Sequence, residues 1–171
     1  MVQAWHREIY RGVTLPIPYY AGEVRDSDVR HPELYGYEVR VGVVRGVPSE
    51  QVPDELARFE ARMRDATAKL DAVIPPGSPP ADEEQLRSVL TLCALAHGEW
   101  VRIHPFANGN GRTARLWANW CARRYGLPRF VQLKPRPEGD SYAEAAARSM
   151  RGDHGPMFDV FNDMLYRVLN P

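Results

Sequence analysis

Residues 75–80 read PPGSPP, and no helix can run through them, because proline lacks the backbone donor and clashes with the preceding turn. On both sides apolar residues recur three and four apart. Before the break these are Leu56, Phe59, Met63, Ala66, Leu70 and Val73, with Pro53 suited to a first helical turn. After it they are Leu86, Val89, Leu90, Cys93, Leu95, His97 and Trp100, behind Asp82 as a candidate N-cap. Two long core-type helices follow, the second with apolar faces broad enough to make it central. A further helix is expected from 111 to 125 through Leu116, Trp117, Trp120 and Cys121, stopping at Gly126 with Pro128 beyond. Ser141 and Glu144 form a capping-box pattern for 142–151, and Phe158, Phe161, Leu165, Val168 and Leu169 mark a final helix. A short helix at 2–10, packed through Trp5, opens the chain. The fold class is therefore mostly α.

One stretch changes period. In YGYEVRVGVVR, residues 35–45, Tyr37, Val39, Val41 and Val43 alternate with Glu38, Arg40 and Gly42, which predicts a strand. Residues 21–25 offer a partner, making a single β-hairpin over about 20–45. A lone hairpin is marginal in water, so it must lean on the helices or on a ligand. Its open edge can template an extended peptide through main-chain hydrogen bonds, or be merely tolerated on a small domain.

At 171 residues the chain is expected to form one domain over 1–171. Lysine plus arginine equals aspartate plus glutamate, so the net charge is zero and there is no electrostatic case for a nucleic-acid or anionic-membrane partner. Cys93 and Cys121 sit in apolar helical patterns and are expected as buried, reduced thiols. The charged N-terminal residues exclude a signal peptide, and no apolar run approaches the roughly twenty residues that span a bilayer. The cytoplasm is the default location, although secretion by a dedicated apparatus would leave no such trace.

The chemistry concentrates in residues 104–115, HPFANGNGRTAR. His104 can move a proton near neutral pH, and Gly109, Asn110 and Gly111 let backbone N–H groups approach an anion at the start of a helix. Arg112 and Arg115 add fixed positive charge. These parts describe a phosphate-handling site. A P-loop is excluded by the missing lysine and frame, and zinc by the lack of a third ligand at matching spacing to His97 and His104.

Residue by residue, the stretch resembles the Fic-domain signature, His-x-Phe-x-acidic-Gly-Asn-Gly-Arg-x-x-Arg, at His104, Phe106, Gly109, Asn110, Gly111, Arg112 and Arg115. The resemblance implies a Fic-type helical domain with a hairpin flap, and transfer of a nucleotide monophosphate, usually AMP from ATP, to a serine, threonine or tyrosine hydroxyl of a target protein. His104 would be the base and Phe106 a core anchor. Gly109, Asn110 and Gly111 would bind the nucleotide phosphates, Arg112 would neutralise the leaving pyrophosphate, and Arg115 would reach the terminal phosphate. The flap would hold the target peptide in extended form.

Two departures qualify this. Asn108 stands where the family pattern has the carboxylate that ligates Mg²⁺, so weaker metal binding is expected at that slot. Ordinary AMP transfer, transfer of another phosphate-linked group, and a catalytically weak nucleotide-binding module that recognises a partner all stay open. The family's inhibitory Ser/Thr-x-x-x-Glu-Gly/Asn pattern is matched only in spacing by Ser149 to Asp153, which ends Asp-His. With almost no chain before the first helix and none after the last, constitutive activity or a separate inhibitory protein is expected.

Overall fold

The computed structural model describes residues 1–26, 28–41 and 44–171. Its helices are α1 (Val2–Ile9), α2 (Val52–Asp71), α3 (Glu83–Ile103), α4 (Asn110–Arg124), α5 (Asp140–Ser149) and α6 (Gly155–Leu169). Asp82 caps α3 as expected, its Oδ1 accepting the Gln85 N–H at 2.8 Å, and Pro53 lies in the first turn of α2. α5 instead follows Gly139 with no side-chain cap, so the Ser141/Glu144 capping box does not form. α3 is the axis of the fold, packing on α2, α4, α5 and α6. Its partnership with α4 is the most extensive: Ala114, Ala118 and Ala122 form a buried stripe one turn apart, and the Cys93 and Cys121 thiols meet between the helices. Edge-on aromatic contacts lock α2 to this pair, with Phe59 at 5.4 Å from Trp100 and 5.2 Å from Trp117. Trp5 brings α1 onto the same cluster, 5.4 Å from Trp117.

Two ends differ from the apolar pattern. α2 stops at Asp71, so the helical phase is lost, leaving Val73 exposed and Ile74 buried. Val168 and Leu169, in the last turn of α6, are also exposed.

The expected hairpin is smaller and placed differently. β1 (Arg40–Val41) pairs antiparallel with β2 (Val44–Arg45), so the anticipated strand turns back on itself; Gly42 and Val43, between the two, lie outside the described residues. Residues 21–25 are not its partner, because the Arg25 N–H bonds Pro105 O at 2.8 Å and draws that segment to the 104–109 loop. The Arg25 side chain takes Tyr37 O, removing an acceptor that a longer ladder would need. Tyr37 accordingly stays partly exposed while Val39 is buried.

Where α3 meets the α5–α6 junction there is no room for a side chain at residue 98. A Cβ on Gly98 would lie 2.2 Å from His154 Nδ1 and 2.9 Å from Ser149 Oγ, and His154 is held in place by Glu99 Oε1 at 2.9 Å from its Nε2. Gly98→Ala is expected to cost about 1–3 kcal/mol in urea-melt stability, the usual range for overpacking a close-packed contact.

Candidate functional site

His104 ends α3 by entering the left-handed region, φ 52 and ψ 55. A β-carbon makes that conformation costly, so the surroundings must impose it. They do so at both ends of the residue. Its Nδ1 lies 2.5 Å from Val101 O, and Arg25 Nε donates to His104 O at 2.9 Å. A carbonyl only accepts, so Nδ1 carries the proton and Nε2 keeps its lone pair. Burial pushes the His104 pKa below 6.5, opposed by the Val101 hydrogen bond and aided by the Arg25 charge. The imidazole is therefore neutral at neutral pH, in the tautomer that can accept a proton.

Beyond it, the loop is fastened from inside. The buried Asn110 side chain clamps Phe106, its Oδ1 accepting from Phe106 N at 2.9 Å and its Nδ2 donating to Phe106 O at 2.7 Å. Phe106 is fully buried and stacks on His6, with ring centroids 3.7 Å apart. Gly22 N–H donates to His6 Nδ1 at 2.8 Å, so the proton sits on Nε2, which donates to Asn108 O at 2.8 Å. Gly109, at φ 82, starts α4, and a Cβ there would meet His6 Nε2 at 2.8 Å. The first helical bond runs from Thr113 N to Gly109 O, which leaves the N–H groups of Asn110, Gly111 and Arg112 without helical acceptors. α4 thus begins one residue earlier than expected, and its positive end opens beside His104.

Arg112 Nη2 donates to Tyr10 OH at 2.7 Å, with the guanidinium 4.6 Å from that ring's centroid. Arg115 is buried; it donates to Leu133 O at 2.9 Å and to Tyr142 OH at 3.3 Å. Tyr142 OH is also 2.8 Å from Nε2 of His97, a wholly buried ring whose pKa is pushed down to about 3 by burial and then by the Arg115 and His154 charges. In the unfolded chain His97 takes its proton near 6.5, so below that pH the unfolded state binds more protons and stability is lost until the folded pKa is reached. His97 is expected to steepen the loss between pH 6 and 4 by about 1.4 kcal/mol per pH unit, a component that denaturant melts of His97→Gln should lack.

His104, Asn108, Gly109, Asn110, Gly111, Arg112 and Arg115 all line one cleft of about 480 Å³, closed on its other sides by residues 37–40 and by α5. A protein-held Mg²⁺ at residue 108 does not fit the donors present. Asn108 Oδ1 already accepts Gly109 N–H at 2.6 Å, and its main-chain oxygen accepts from His6. Glu38, the cleft's carboxylate among the described residues, accepts Ser49 N–H at 2.9 Å. A magnesium site normally needs one or two charged oxygens from the protein.

His104, Asn108, Gly109, Asn110, Gly111, Arg112 and Arg115 thus converge on this cleft as singled out in the sequence, and Phe106 is buried outside its lining, whereas the supports His6, Tyr10, Arg25, His97 and Tyr142 were not singled out for it. His6 and Tyr10 act across more than a hundred residues of chain and Arg25 across 79, so no local spacing reveals them. Asp153 pairs with Arg148 and not with Arg115, so the Ser149–Asp153 stretch makes no inhibitory contact in this structure.

An imidazole, a glycine-started helix N-terminus and two arginines thus line one cleft of a mostly helical domain. The Fic/DOC family model matches residues 1–122, and the chain belongs to that family. It is 34% identical over 91 residues to the protein adenylyltransferase Fic of Culex quinquefasciatus, covering 53% of this chain and 18% of that protein. The protein adenylyltransferase Fic of Drosophila mojavensis is 33% identical over 91 residues, 52% of this chain and 18% of that one. The chain therefore spans less than a fifth of these curated relatives. Among solved structures, the VirB-translocated effector BepC of Bartonella tribocorum, with bound AMPPNP, aligns with TM-score 0.60 over 95% of this chain and 73% of its own, at 17% identity, which carries the fold alone. Among the described residues, no helix is long and apolar enough to cross a membrane.

Proposed function

We propose that this chain is a protein adenylyltransferase, moving AMP from ATP to a serine, threonine or tyrosine hydroxyl of a target protein. The observation that carries the reading is the 2.5 Å contact of His104 Nδ1 with Val101 O, which leaves Nε2 as the acceptor in the same cleft as the N–H groups that open α4. Nε2 would take the hydroxyl proton as the oxygen attacks the α-phosphorus; the bond to the bridging oxygen breaks and pyrophosphate leaves. The N–H groups of Asn110 and Gly111, with Arg112 and Arg115, would hold the phosphates and stabilise charge on them. The names of the curated relatives and the AMPPNP in the BepC structure support the choice of nucleotide. Any Mg²⁺ would ride on the nucleotide phosphates, since the protein donors do not suit it.

The target would lie along residues 37–41, extended against the short hairpin, and a separate inhibitory protein would supply any control. Incubation with host lysate and ATP labelled at the α- or γ-phosphate tests the reading. Protein label from α-labelled ATP alone is expected. Label from γ-labelled ATP would mean phosphoryl transfer, and no label with either nucleotide would reduce the chain to a nucleotide-binding module.

A further inference from the structure

The cleft departs from electrical balance in a chain that has none to spare. Among the described residues that line it are four guanidinium groups, Arg40, Arg112, Arg115 and Arg136, against the single carboxylate of Glu38. The net charge of the whole protein is zero, so this excess is local. None of the four arginines is in an ion pair among the described residues, although arginines elsewhere commonly are: Arg7, Arg58, Arg102, Arg124 and Arg148 all meet carboxylates. The partners of the cleft arginines are neutral. Arg112 rests on Tyr10, Arg115 on Tyr142 and the Leu133 carbonyl, and Arg136 lies 5.6 Å from the Tyr142 ring centroid. Their charge is left for a ligand.

Residue 108 points the same way. An amide brings no negative charge, and with Oδ1 committed to Gly109 N–H the end left over is Nδ2, a donor. A divalent cation would be repelled by four arginines and offered, at residue 108, one uncharged oxygen that already accepts an N–H. A phosphate oxygen would be attracted by the same arginines and offered an N–H.

We infer that this cleft binds a nucleoside polyphosphate as the metal-free anion, its arginines and Asn108 standing where a carboxylate-held cation would otherwise act. The inference rests on the nucleotide-binding part of the proposed function and not on transfer. Arg40 and Arg136 become anion contacts beyond the signature, and the arginine count sets the ligand class: a chain of phosphates is matched, a single phosphate is not.

Calorimetric titration of the full chain with ATP and with inorganic tripolyphosphate, in EDTA and in excess Mg²⁺, tests this. Wild-type affinity for both anions in EDTA should lie within about threefold of that in Mg²⁺, and Asn108→Asp should weaken EDTA binding at least about tenfold, with Mg²⁺ restoring it. Arg136→Gln should weaken tripolyphosphate binding more in EDTA than in Mg²⁺. Wild-type binding that collapses in EDTA overturns the inference, as does an Asn108→Asp protein indifferent to Mg²⁺, or no binding of either anion under any condition. Metal-independent binding without labelling of any protein would sink the transferase reading and leave this one standing. Labelling that occurs only with Mg²⁺, together with lost binding in EDTA, would do the reverse.

Discussion

His104→Ala is expected to lower AMP transfer by about 10²–10⁴-fold, the usual worth of a positioned general base, while nucleotide affinity changes only a few-fold. Affinity should hold because the phosphate donors belong to α4 and its arginines, and without the imidazole the 104–109 loop is still fastened by Asn110, His6 and Arg25. Single-turnover labelling with α-labelled ATP, beside direct nucleotide titration, separates the two effects. Labelling that survives the substitution would remove His104 from the role. The pH dependence supplies a second readout. A base must be neutral, so activity is present above the His104 pKa and lost as pH falls through it. Because burial, and to a lesser extent Arg25, hold that pKa below 6.5, the acid limb should lie on the acid side of an ordinary histidine.

What could be read in advance follows how local each cause is. The helices of 52–71 and 83–103 were legible because apolar period and breakers act within a few residues, and Asp82 caps three positions away from its donor. The cleft residues of 104–115 were legible because they share one short stretch, whereas Arg40 and Arg136 line the same cleft from distant segments that no local pattern joins to it. The hairpin was misplaced for a non-local reason. Residues 35–45 alternate as a strand should, but alternation names no partner, and the segment proposed for that role was claimed by the 104–109 loop through Arg25 N–H and Pro105 O. The capping box at Ser141 failed similarly: the pattern was present, but α5 starts from Gly139 without it. His6 carries no signal at all, since its two hydrogen bonds reach Gly22 and Asn108, neither adjacent in the chain.

Arg25→Met should be the most damaging single change outside the signature. The side chain is fully buried, and its nitrogens donate to four carbonyls: His104 O at 2.9 Å, Tyr37 O at 2.7 Å, Val47 O at 2.9 Å and Ile103 O at 3.2 Å. These oxygens belong to the end of α3 and to both sides of the hairpin, so one guanidinium holds the hairpin against His104. Methionine fills much of the volume but leaves buried acceptors unpaired, and a loss of about 3–5 kcal/mol in denaturant melts is expected. Lysine keeps the charge with fewer donors and no fork, so Arg25→Lys should recover only part of it. A purely structural role would stop there. The Arg25 charge also lowers the His104 pKa, so in protein assayed well below its melting temperature the acid limb of transfer should move towards higher pH in Arg25→Met and stay nearer its original place in Arg25→Lys. An unshifted limb in both variants would confine Arg25 to holding the fold, while a shift in the methionine variant alone would make it the residue that sets both the position and the proton affinity of the base.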